Sequence, residues 1–308
     1  MFSHMKRFLV TGGAGFIGRR LVSHLLEAGN HVRVLDNFIT GSRECFPDSV
    51  DVVEGDAADS KIVANCLKEI DGVFHLAAIP SVKIAQEDPL LVMRCGEMSL
   101  VNVLQECLKN HSIKRLVFAS SAAVYGNPQF LPITEEHPAN PISNYGVGKL
   151  ACEHYLRAAC AIQQRLDAVS LRFFNVFGPG QGEDSSYSGV ITKFVAAIRG
   201  GKQPIIYGDG KQTRDFIPVQ IIVSVCREVM VSNYPYQGQA MNLGLGKPTS
   251  INNLLKMLNS NFSDSADPVY KPESSFEIKK SYSDNIKIKR VSKTINSQIN
   301  IEDYLKTI

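Results

Sequence analysis

The sequence predicts an α/β fold in which a parallel sheet, covered by helices on both faces, is followed by a smaller C-terminal lobe. Short apolar runs alternate with segments of helical periodicity at a spacing of about 30 residues as far as residue 175, which is typical of βαβ units. A glycine-rich turn at 11–18 joins the first apolar run to the first helix. Beyond 175 the loops lengthen and turn sequences such as Gly208-Asp209-Gly210 appear. Together these features predict a Rossmann-type, doubly wound parallel sheet.

Each element is predicted from its own stretch of sequence. We expect strands at 8–10, 31–35, 50–54, 73–76, 115–119 and 168–173, and helices at 16–28, 89–110 and 143–163. The first helix carries apolar residues at helical spacing and ends where Gly29 and Asn30 can cap it. The cofactor-binding domain is therefore expected at 1–175, with its crevice at the carboxyl ends of the strands. A substrate-binding lobe is expected at 176–308, with some chain crossing back to the sheet.

Composition and charge argue against several classes of protein. The chain has 308 residues and a formal net charge of +3, which gives no reason to expect nucleic acid or a membrane surface as a partner. Its apolar runs are shorter than the ~20 residues that a membrane span needs, and residues 1–5 lack the apolar core of a signal peptide, so we expect a cytoplasmic protein. The seven cysteines are scattered and contain no C-x-x-C pair, which favours free thiols and no metal site.

The glycine-rich turn is the first functional signal. Gly12, Gly15 and Gly18 let the backbone approach a pyrophosphate closely, and the helix that follows offers free N–H groups and a positive dipole end to it. The alternative is a turn that only packs the helix on the strand. Asp36 closes the second predicted strand, where a carboxylate can accept both ribose hydroxyls and would repel a 2′-phosphate, so the pattern favours NAD over NADP. A turn or capping aspartate is the alternative there.

Ser121, Tyr145 and Lys149 are the candidate catalytic residues. Tyr145 and Lys149 lie four residues apart on a predicted helix and therefore share a face. A free tyrosine has a pKa near ~10, and a nearby ammonium and a bound nicotinamide would both lower that pKa. Ser121 ends the fifth strand, where its hydroxyl could bond to a substrate oxygen. Tyr-x-x-x-Lys alone usually marks a surface pair of helix residues, and the upstream glycine turn is what favours catalysis here.

Six motifs in order carry a family resemblance. They are TGGAGFIG (11–18), HLAA (75–78), SSAAVYG (120–126), YGVGK (145–149), LRFFNVFGP (171–179) and GDGKQTRDF (208–216). The chain resembles the extended short-chain dehydrogenase/reductase family, and within it the NAD-dependent UDP-glucose and UDP-N-acetylglucosamine 4-epimerases. The resemblance is strong over about 6–245 and weak beyond.

The resemblance implies an NAD-dependent 4-epimerase of a UDP-hexose, with UDP-N-acetylglucosamine and UDP-N-acetylgalactosamine as one candidate pair. The sugar would be oxidised at C4 and then reduced on its other face. The alternatives are another nucleotide-sugar reductase or epimerase of the family, or a catalytically impaired dinucleotide-binding protein. Family members tend to pair through the helices expected here at 89–110 and 143–163, so we expect a homodimer.

The resemblance also implies site residues. The cofactor contacts are expected from Gly12, Gly15, Phe16, Ile17, Gly18, Asp36, Asn37, Phe38, Thr40, Gly41, Asp56, Ala57, Leu76, Ala77, Ala78, Tyr145, Lys149 and Phe174. The substrate contacts are expected from Ser81, Ser121, Tyr145, Asn175, Gly189, Val190, Tyr207, Arg214, Asn242 and Ser281. Among these, Asn175 and Arg214 would hold the diphosphate, Phe174 would border the nicotinamide, and Tyr207 would line the uridine pocket.

Departures from family patterns refine this expectation. Ala122 and Ala123 stand where dehydratases and decarboxylases of the family carry carboxylates, so elimination chemistry lacks its acid and base. Ser281 aligns with a gate position, where a small residue would admit an N-acetyl group. The chain also departs from the usual residues of the family at four positions: Gly96 for Asn, Gly148 for Ser or Thr, Gln220 for Asp, and Ser274 for a second diphosphate-binding Arg.

Overall fold

The computed structural model describes residues 5–80, 82–182, 189–262, 267–273 and 278–308. The strands, in chain order, are β1 Arg7–Thr11, β2 His31–Asp36, β3 Asp51–Glu54, β4 Gly72–His75, β5 Arg115–Ser121, β6 Asp167–Phe173, β7 Asn175–Phe177, β8 Ile205–Tyr207, β9 Thr213–Pro218, β10 Gln239–Leu243, β11 Pro248–Ser250 and β12 Val269–Lys271. The α-helices are α1 Phe16–Glu27, α2 Ser60–Cys66, α3 Val82–Glu87, α4 Pro89–Met93, α5 Ser99–Lys109, α6 Asn144–Ile162, α7 Val190–Arg199, α8 Val219–Val231, α9 Ile251–Asn259, α10 Ile286–Lys289 and α11 Ile301–Leu305.

Seven parallel strands form the central sheet in the order β3-β2-β1-β4-β5-β6-β10. The order reverses between β1 and β4, and ligands of such sheets bind in the crevice outside the carboxyl ends at that point. The predicted Rossmann-type fold is therefore confirmed. The last strand of the sheet, β10, comes from the C-terminal half of the chain, which returns to the sheet edge.

Helices pack on both faces of the sheet. Successive residues of β1 point to opposite faces, so Phe8 and Val10 join the core under α1 and α8, whereas Leu9 joins the core under α2, α5 and α6. The seven cysteines are free thiols, and six of them are buried. Within the described residues, the helices are too short or too polar to cross a bilayer.

The segment predicted as one helix at 89–110 is different in the structure. Helix α4 ends at Met93, a π-helical turn covers Arg94–Met98, and α5 begins at Ser99. Periodicity alone cannot distinguish this arrangement from a continuous helix, because a single π turn inserts about one residue into the helical repeat. The short helices α2 and α3 were also not predicted; α2 is capped at its N-terminus by Asp59, whose carboxylate accepts from the N–H of Lys61.

The smaller lobe has its own apolar core and two small sheets. Strands β11, β9 and β7 form one, and β12 pairs with β8 in the other. Phe177, Phe194 and Phe216 are buried between these strands and helices α7 and α9. Because β7 follows β6 after a single residue, Phe174, this lobe begins directly beside the crevice.

Candidate active site

A cavity of about 890 Å³ lies at the carboxyl ends of the central strands and extends to α7 of the smaller lobe. Twenty-one residues predicted for the site line it: Gly12, Gly15, Phe16, Ile17, Gly18, Asp36, Asn37, Thr40, Gly41, Asp56, Ala57, Leu76, Ala77, Ala78, Ser121, Tyr145, Lys149, Phe174, Asn175, Gly189 and Val190. The predicted residues Phe38, Tyr207, Arg214, Asn242 and Ser281 lie outside its walls, and Ser81 lies outside the described residues.

The three glycines of the first loop have different reasons to be glycine. Gly12 has a φ of +67°, and a Cβ there would lie 2.6 Å from the backbone nitrogen of Ala77. A Cβ at Gly18 would overlap the backbone of Gly12 and Gly13. At Gly15 the nearest atom to an added Cβ is the Gly12 carbonyl oxygen, at 3.4 Å. Packing therefore accounts for Gly12 and Gly18, whereas Gly15 faces the cavity.

Asp36 forms hydrogen bonds within the turn and also lines the cavity. One carboxylate oxygen accepts from the N–H of Ala14 at 2.8 Å, and the other accepts from the N–H of Phe38 at 2.8 Å. The turn aspartate considered as the alternative is thus present in the structure. Each carboxylate oxygen has a second acceptor position, so the same group can still receive ribose hydroxyls. Asp56, one of the predicted cofactor contacts, forms an ion pair with Arg94 at 2.7 Å and also lines the cavity.

The structure brings Ser121, Tyr145 and Lys149 to one wall of the cavity. Ser121 is the last residue of β5, and its hydroxyl oxygen accepts from the N–H of Ala123 at 3.2 Å. Tyr145 and Lys149 lie on the first turns of α6, so they face the same way. The Lys149 Nζ donates to the carbonyl oxygen of Ala119 at 2.7 Å and lies 5.7 Å from the centre of the Tyr145 ring.

Burial dominates the proton equilibria of this pair. It raises the pKa of Tyr145 to about 12, with a hydrogen bond from Ser121 acting in the opposite direction. Burial also lowers the pKa of Lys149 to about 8. The protein alone therefore keeps the phenol protonated, whereas the sequence predicted a lowered pKa. The ammonium of Lys149 and the positive charge of an oxidised nicotinamide would both favour the phenolate.

We expect turnover to decrease as the pH rises above about 8, because Lys149 then loses the positive charge that favours a Tyr145 phenolate. The pH dependence of kcat measures this. The Lys149→Met variant serves as the control, because it has no ammonium to titrate and should be nearly inactive throughout. A kcat that stays level from pH 7 to 10 would show that the charge on Lys149 is not required.

A buried hydrogen-bond chain, not predicted from the sequence, supports the cofactor side of the cavity. The Thr11 hydroxyl lies 2.8 Å from Nδ1 of His75, and the Ser99 hydroxyl lies 3.3 Å from its Nε2. Burial, followed by the charge of Lys149, lowers the pKa of His75 to about 3, so the imidazole is neutral. This chain joins the end of β1 to the first turn of α5. The only sequence signal for it was a histidine at the end of an apolar strand.

A second buried network fixes α6 against the sheet. Arg172 on β6 forms an ion pair with Glu153 on α6 at 2.7 Å, and both side chains are 7% exposed. Ser120 donates to the same carboxylate, and Arg172 donates to the Tyr125 hydroxyl at 2.7 Å. Removing one member of such a buried pair typically destabilises a protein by about 3–5 kcal/mol. The network therefore holds the helix that carries Tyr145 at a set position beside β5.

The four described substrate candidates outside the cavity walls belong to the smaller lobe or its junction with the sheet. Asn242 is fully buried, and its side-chain oxygen accepts from the Tyr125 hydroxyl at 2.6 Å. Arg214 donates to the carbonyl of Ile278 at 2.6 Å, and the backbone N–H of Ser281 donates to Thr213 at 3.1 Å. Tyr207 is 51% exposed. Their substrate contacts stay predictions.

The four positions that depart from the usual residues of the family have different surroundings in the structure. An added Cβ at Gly96 would meet nothing within 4 Å, whereas one at Gly148 would meet the Glu97 carboxylate. The side-chain oxygen of Gln220 is buried without a hydrogen-bond partner in the described part of the chain. Ser274 lies outside the described residues.

The sheet order, the glycine loop and the Ser121–Tyr145–Lys149 set define a dinucleotide-dependent enzyme of the short-chain dehydrogenase/reductase type. The sequence pattern of the NAD dependent epimerase/dehydratase family matches residues 8–244. The chain belongs to this family, and its cofactor is NAD.

Proteins similar to this chain include 4-epimerases of UDP-sugars. The UDP-glucose 4-epimerase of Corynebacterium glutamicum is 33% identical over 263 residues, which span 82% of this chain and 79% of that protein. The UDP-N-acetylglucosamine 4-epimerase of Methanobrevibacter ruminantium, solved with UDP-N-acetylmuramic acid, is 34% identical and superposes with a TM-score of 0.91 over 99% of this chain and 97% of that one. The UDP-glucose 4-epimerase of Thermus thermophilus, solved with NAD, is 29% identical, with a TM-score of 0.87 over 98% and 97% of the two chains.

The residues present fit this cofactor. Gly15 occupies the N-cap of α1, so no side chain covers the helix end, whose N–H groups and dipole suit a diphosphate. Asp36 lines the same cavity, and its contact with the ribose hydroxyls of the adenosine stays a prediction. The cavity then continues past Ala77 and Ala78 to Tyr145 and Lys149. The nicotinamide end of the cofactor would accordingly be held beside these two residues.

Proposed function

We propose that this protein is an NAD-dependent 4-epimerase of a UDP-hexose, with UDP-N-acetylglucosamine and UDP-N-acetylgalactosamine as one candidate pair. The observation that carries the proposal is the meeting of Ser121, Tyr145 and Lys149 in one cavity with the glycine loop. Ala122 and Ala123, which follow Ser121, offer no carboxylate for an elimination. The chemistry that these side chains support is oxidation and reduction at a single carbon.

Tyr145, Ser121 and Lys149 have different roles in proton transfer at the C4 hydroxyl. Tyr145, as the phenolate, takes the proton of the C4 hydroxyl, and Ser121 donates a hydrogen bond to the same oxygen. Lys149 favours the phenolate by its charge and would hold the nicotinamide ribose. When bound, NAD accepts a hydride from a carbinol carbon and can return it to the resulting carbonyl. If the 4-keto sugar turns over before the return, Tyr145 reprotonates the C4 oxygen and the epimer forms without net redox change.

The smaller lobe offers the other wall of the same cavity. Asn175 follows Phe174 at the start of β7, and Gly189 is the N-cap of α7 with no side chain over the helix end. A helix N-terminus of this kind favours a phosphate or a carbonyl oxygen. Arg214 and Tyr207 are the proposed diphosphate and uridine contacts, and Ser281 is the proposed gate residue that admits an N-acetyl group.

We also propose a homodimer. Large apolar side chains are exposed on the helical layer formed by α4, the π turn, α5 and α6. They are Leu90, Met93, Met98, Val147, Tyr155 and Ile162. Exposed apolar side chains gathered on one helical layer are typical of a protein interface. Its position agrees with the helices expected to pair.

The function is tested by incubating the purified protein with UDP-glucose, UDP-galactose, UDP-N-acetylglucosamine and UDP-N-acetylgalactosamine in turn. We expect at least one pair to reach a mixture of both epimers without added cofactor being consumed. Steady consumption of NADH would instead indicate a reductase. Absence of interconversion for every sugar, with NAD bound, would refute the proposal.

A further inference from the structure

The π-helical turn between α4 and α5 places the carboxylate of Glu97 against α6. A Cβ at Gly148 would lie 2.5 Å from Oε1 of Glu97, 2.7 Å from its Cδ and 2.8 Å from its Oε2. The carboxylate therefore occupies the volume that the side chain of any other residue at 148 would need. Glu97 is not one of the residues that line the cavity, so its carboxylate meets α6 outside the cavity lining.

The turn that carries Glu97 is held in place by the buried chain of the cofactor side. The Ser99 hydroxyl lies 2.7 Å from the carbonyl oxygen of Cys95 and 2.8 Å from that of Gly96. Ser99 is in turn hydrogen-bonded to His75, which bonds to Thr11 at the glycine loop. The π turn that carries Glu97 is therefore fixed by hydrogen bonds to residues beside the cavity. π turns of this kind occur frequently at functional sites.

Gly148 is followed by Lys149, whose positive charge is buried and needs compensation. The ionisable groups that face Lys149 are Glu97 on the π turn, Cys152 and Glu153 on α6, His75 on β4 and the Tyr145 phenol. Burial raises the pKa of Cys152 to about 12, so this thiol is uncharged at neutral pH.

The other carboxylate near Lys149, that of Glu153, is already paired with Arg172. Glu153 accepts three hydrogen bonds from Arg172, at 2.7, 2.9 and 3.3 Å, and its charge is balanced by that guanidinium. Glu97 has Lys149 as its attracting cation, which acts against the upward effect of burial on the Glu97 pKa. Glu97 is therefore the negative charge available to Lys149.

We propose that Glu97 is a positioning residue of the reaction: its carboxylate keeps Lys149 protonated from behind the cavity wall, and residue 148 is glycine to make room for it. This inference rests on the proposed role of Lys149 in turnover. It also gives one explanation for two features, a glutamate on the π turn and a glycine before the lysine. A nearby opposite charge typically changes a pKa by one unit or more.

The experiment compares the pH profile of kcat in the unaltered enzyme, Glu97→Gln and Gly148→Ala. Glu97→Gln removes the charge at almost constant shape, and Gly148→Ala keeps the charge but displaces the carboxylate. We expect each variant to move the alkaline limb of kcat to lower pH by about one unit. The double variant should move it no further than Glu97→Gln alone, because both act through one contact. Glu106→Gln, which removes an α5 carboxylate that is paired with Lys109, is the matched control and should leave the profile unchanged.

A second measurement separates this inference from the proposed function. The pH dependence of NAD affinity also depends on Lys149, so its midpoint should move in the same direction even if no UDP-sugar is converted. Unchanged midpoints in Glu97→Gln for both kcat and NAD binding, with a normal melting temperature, would overturn the inference. Shifts that add in the double variant would overturn the shared-contact explanation as well. If Glu97→Gln does not fold, Gly148→Ala alone gives the same comparison.

Discussion

Replacing Tyr145 by Phe is expected to lower kcat by about 10²–10⁴-fold while leaving NAD bound. The variant keeps the ring, which packs against the cluster of Ile79, Ala85, Val92 and Cys95, and loses only the oxygen proposed to take the proton of the C4 hydroxyl. Neither Ser121 nor Lys149 is a strong base at neutral pH. We therefore expect that neither can take over the role of the phenolate. The measurement is kcat with a UDP-sugar that the unaltered enzyme converts, together with the amount of NAD that co-purifies.

Tyr155→Phe is the matched control for this variant. Tyr155 lies on the same helix, is 51% exposed and is remote from the cavity lining, so its hydroxyl should be dispensable. Turnover by Tyr145→Phe at nearly the unaltered rate would show that the Tyr145 hydroxyl is not the base of the reaction. A loss of NAD along with turnover would instead show that the phenol serves cofactor binding.

Gly15→Ala is expected to weaken NAD binding by about 10- to 100-fold without destabilising the protein itself. The φ of Gly15 is −70°, which alanine adopts without strain, and the added methyl would meet only the Gly12 carbonyl at an ordinary contact distance. The methyl instead projects where a diphosphate must approach the helix end. Displacement of that kind typically costs about 1–3 kcal/mol.

Gly18→Ala gives the contrasting result. An added Cβ there overlaps the backbone of the loop itself, so we expect a lower melting temperature even without NAD. Titration with NAD and thermal melts of the two variants therefore distinguish a glycine needed for NAD to approach from a glycine needed for packing of the loop. An unchanged NAD affinity in Gly15→Ala would mean that the glycine loop only packs a helix on a strand.

Local patterns in the sequence were sufficient to predict the sheet and the meeting of Ser121, Tyr145 and Lys149 in one cavity. The βαβ spacing, the glycine turn and the Tyr145–Lys149 spacing each depend on residues close in the chain, and the structure confirms the fold. The carboxyl ends of parallel strands meet at one edge, which is why Asp36 and Ser121 could be predicted to lie in one crevice.

Features that depend on contacts between distant segments were not predictable in this way. The π turn at Arg94–Met98 looks helical by periodicity, and its contact with Gly148 joins residues about 50 positions apart. The burial of the Asn242 amide and its hydrogen bond with the Tyr125 hydroxyl also depend on segments far apart in the chain. The raised pKa of Tyr145 likewise follows from three-dimensional burial, which no spacing reports.

The central claim is that the hydrogen removed from C4 of the sugar returns to C4 within one active site. The most direct measurement is the conversion of a UDP-hexose that carries deuterium at C4, followed by analysis of the epimer. We predict that the deuterium is retained at C4 of the product and that no free NADH accumulates. Loss of the deuterium to solvent, or release of NADH in proportion to the product, would contradict the claim.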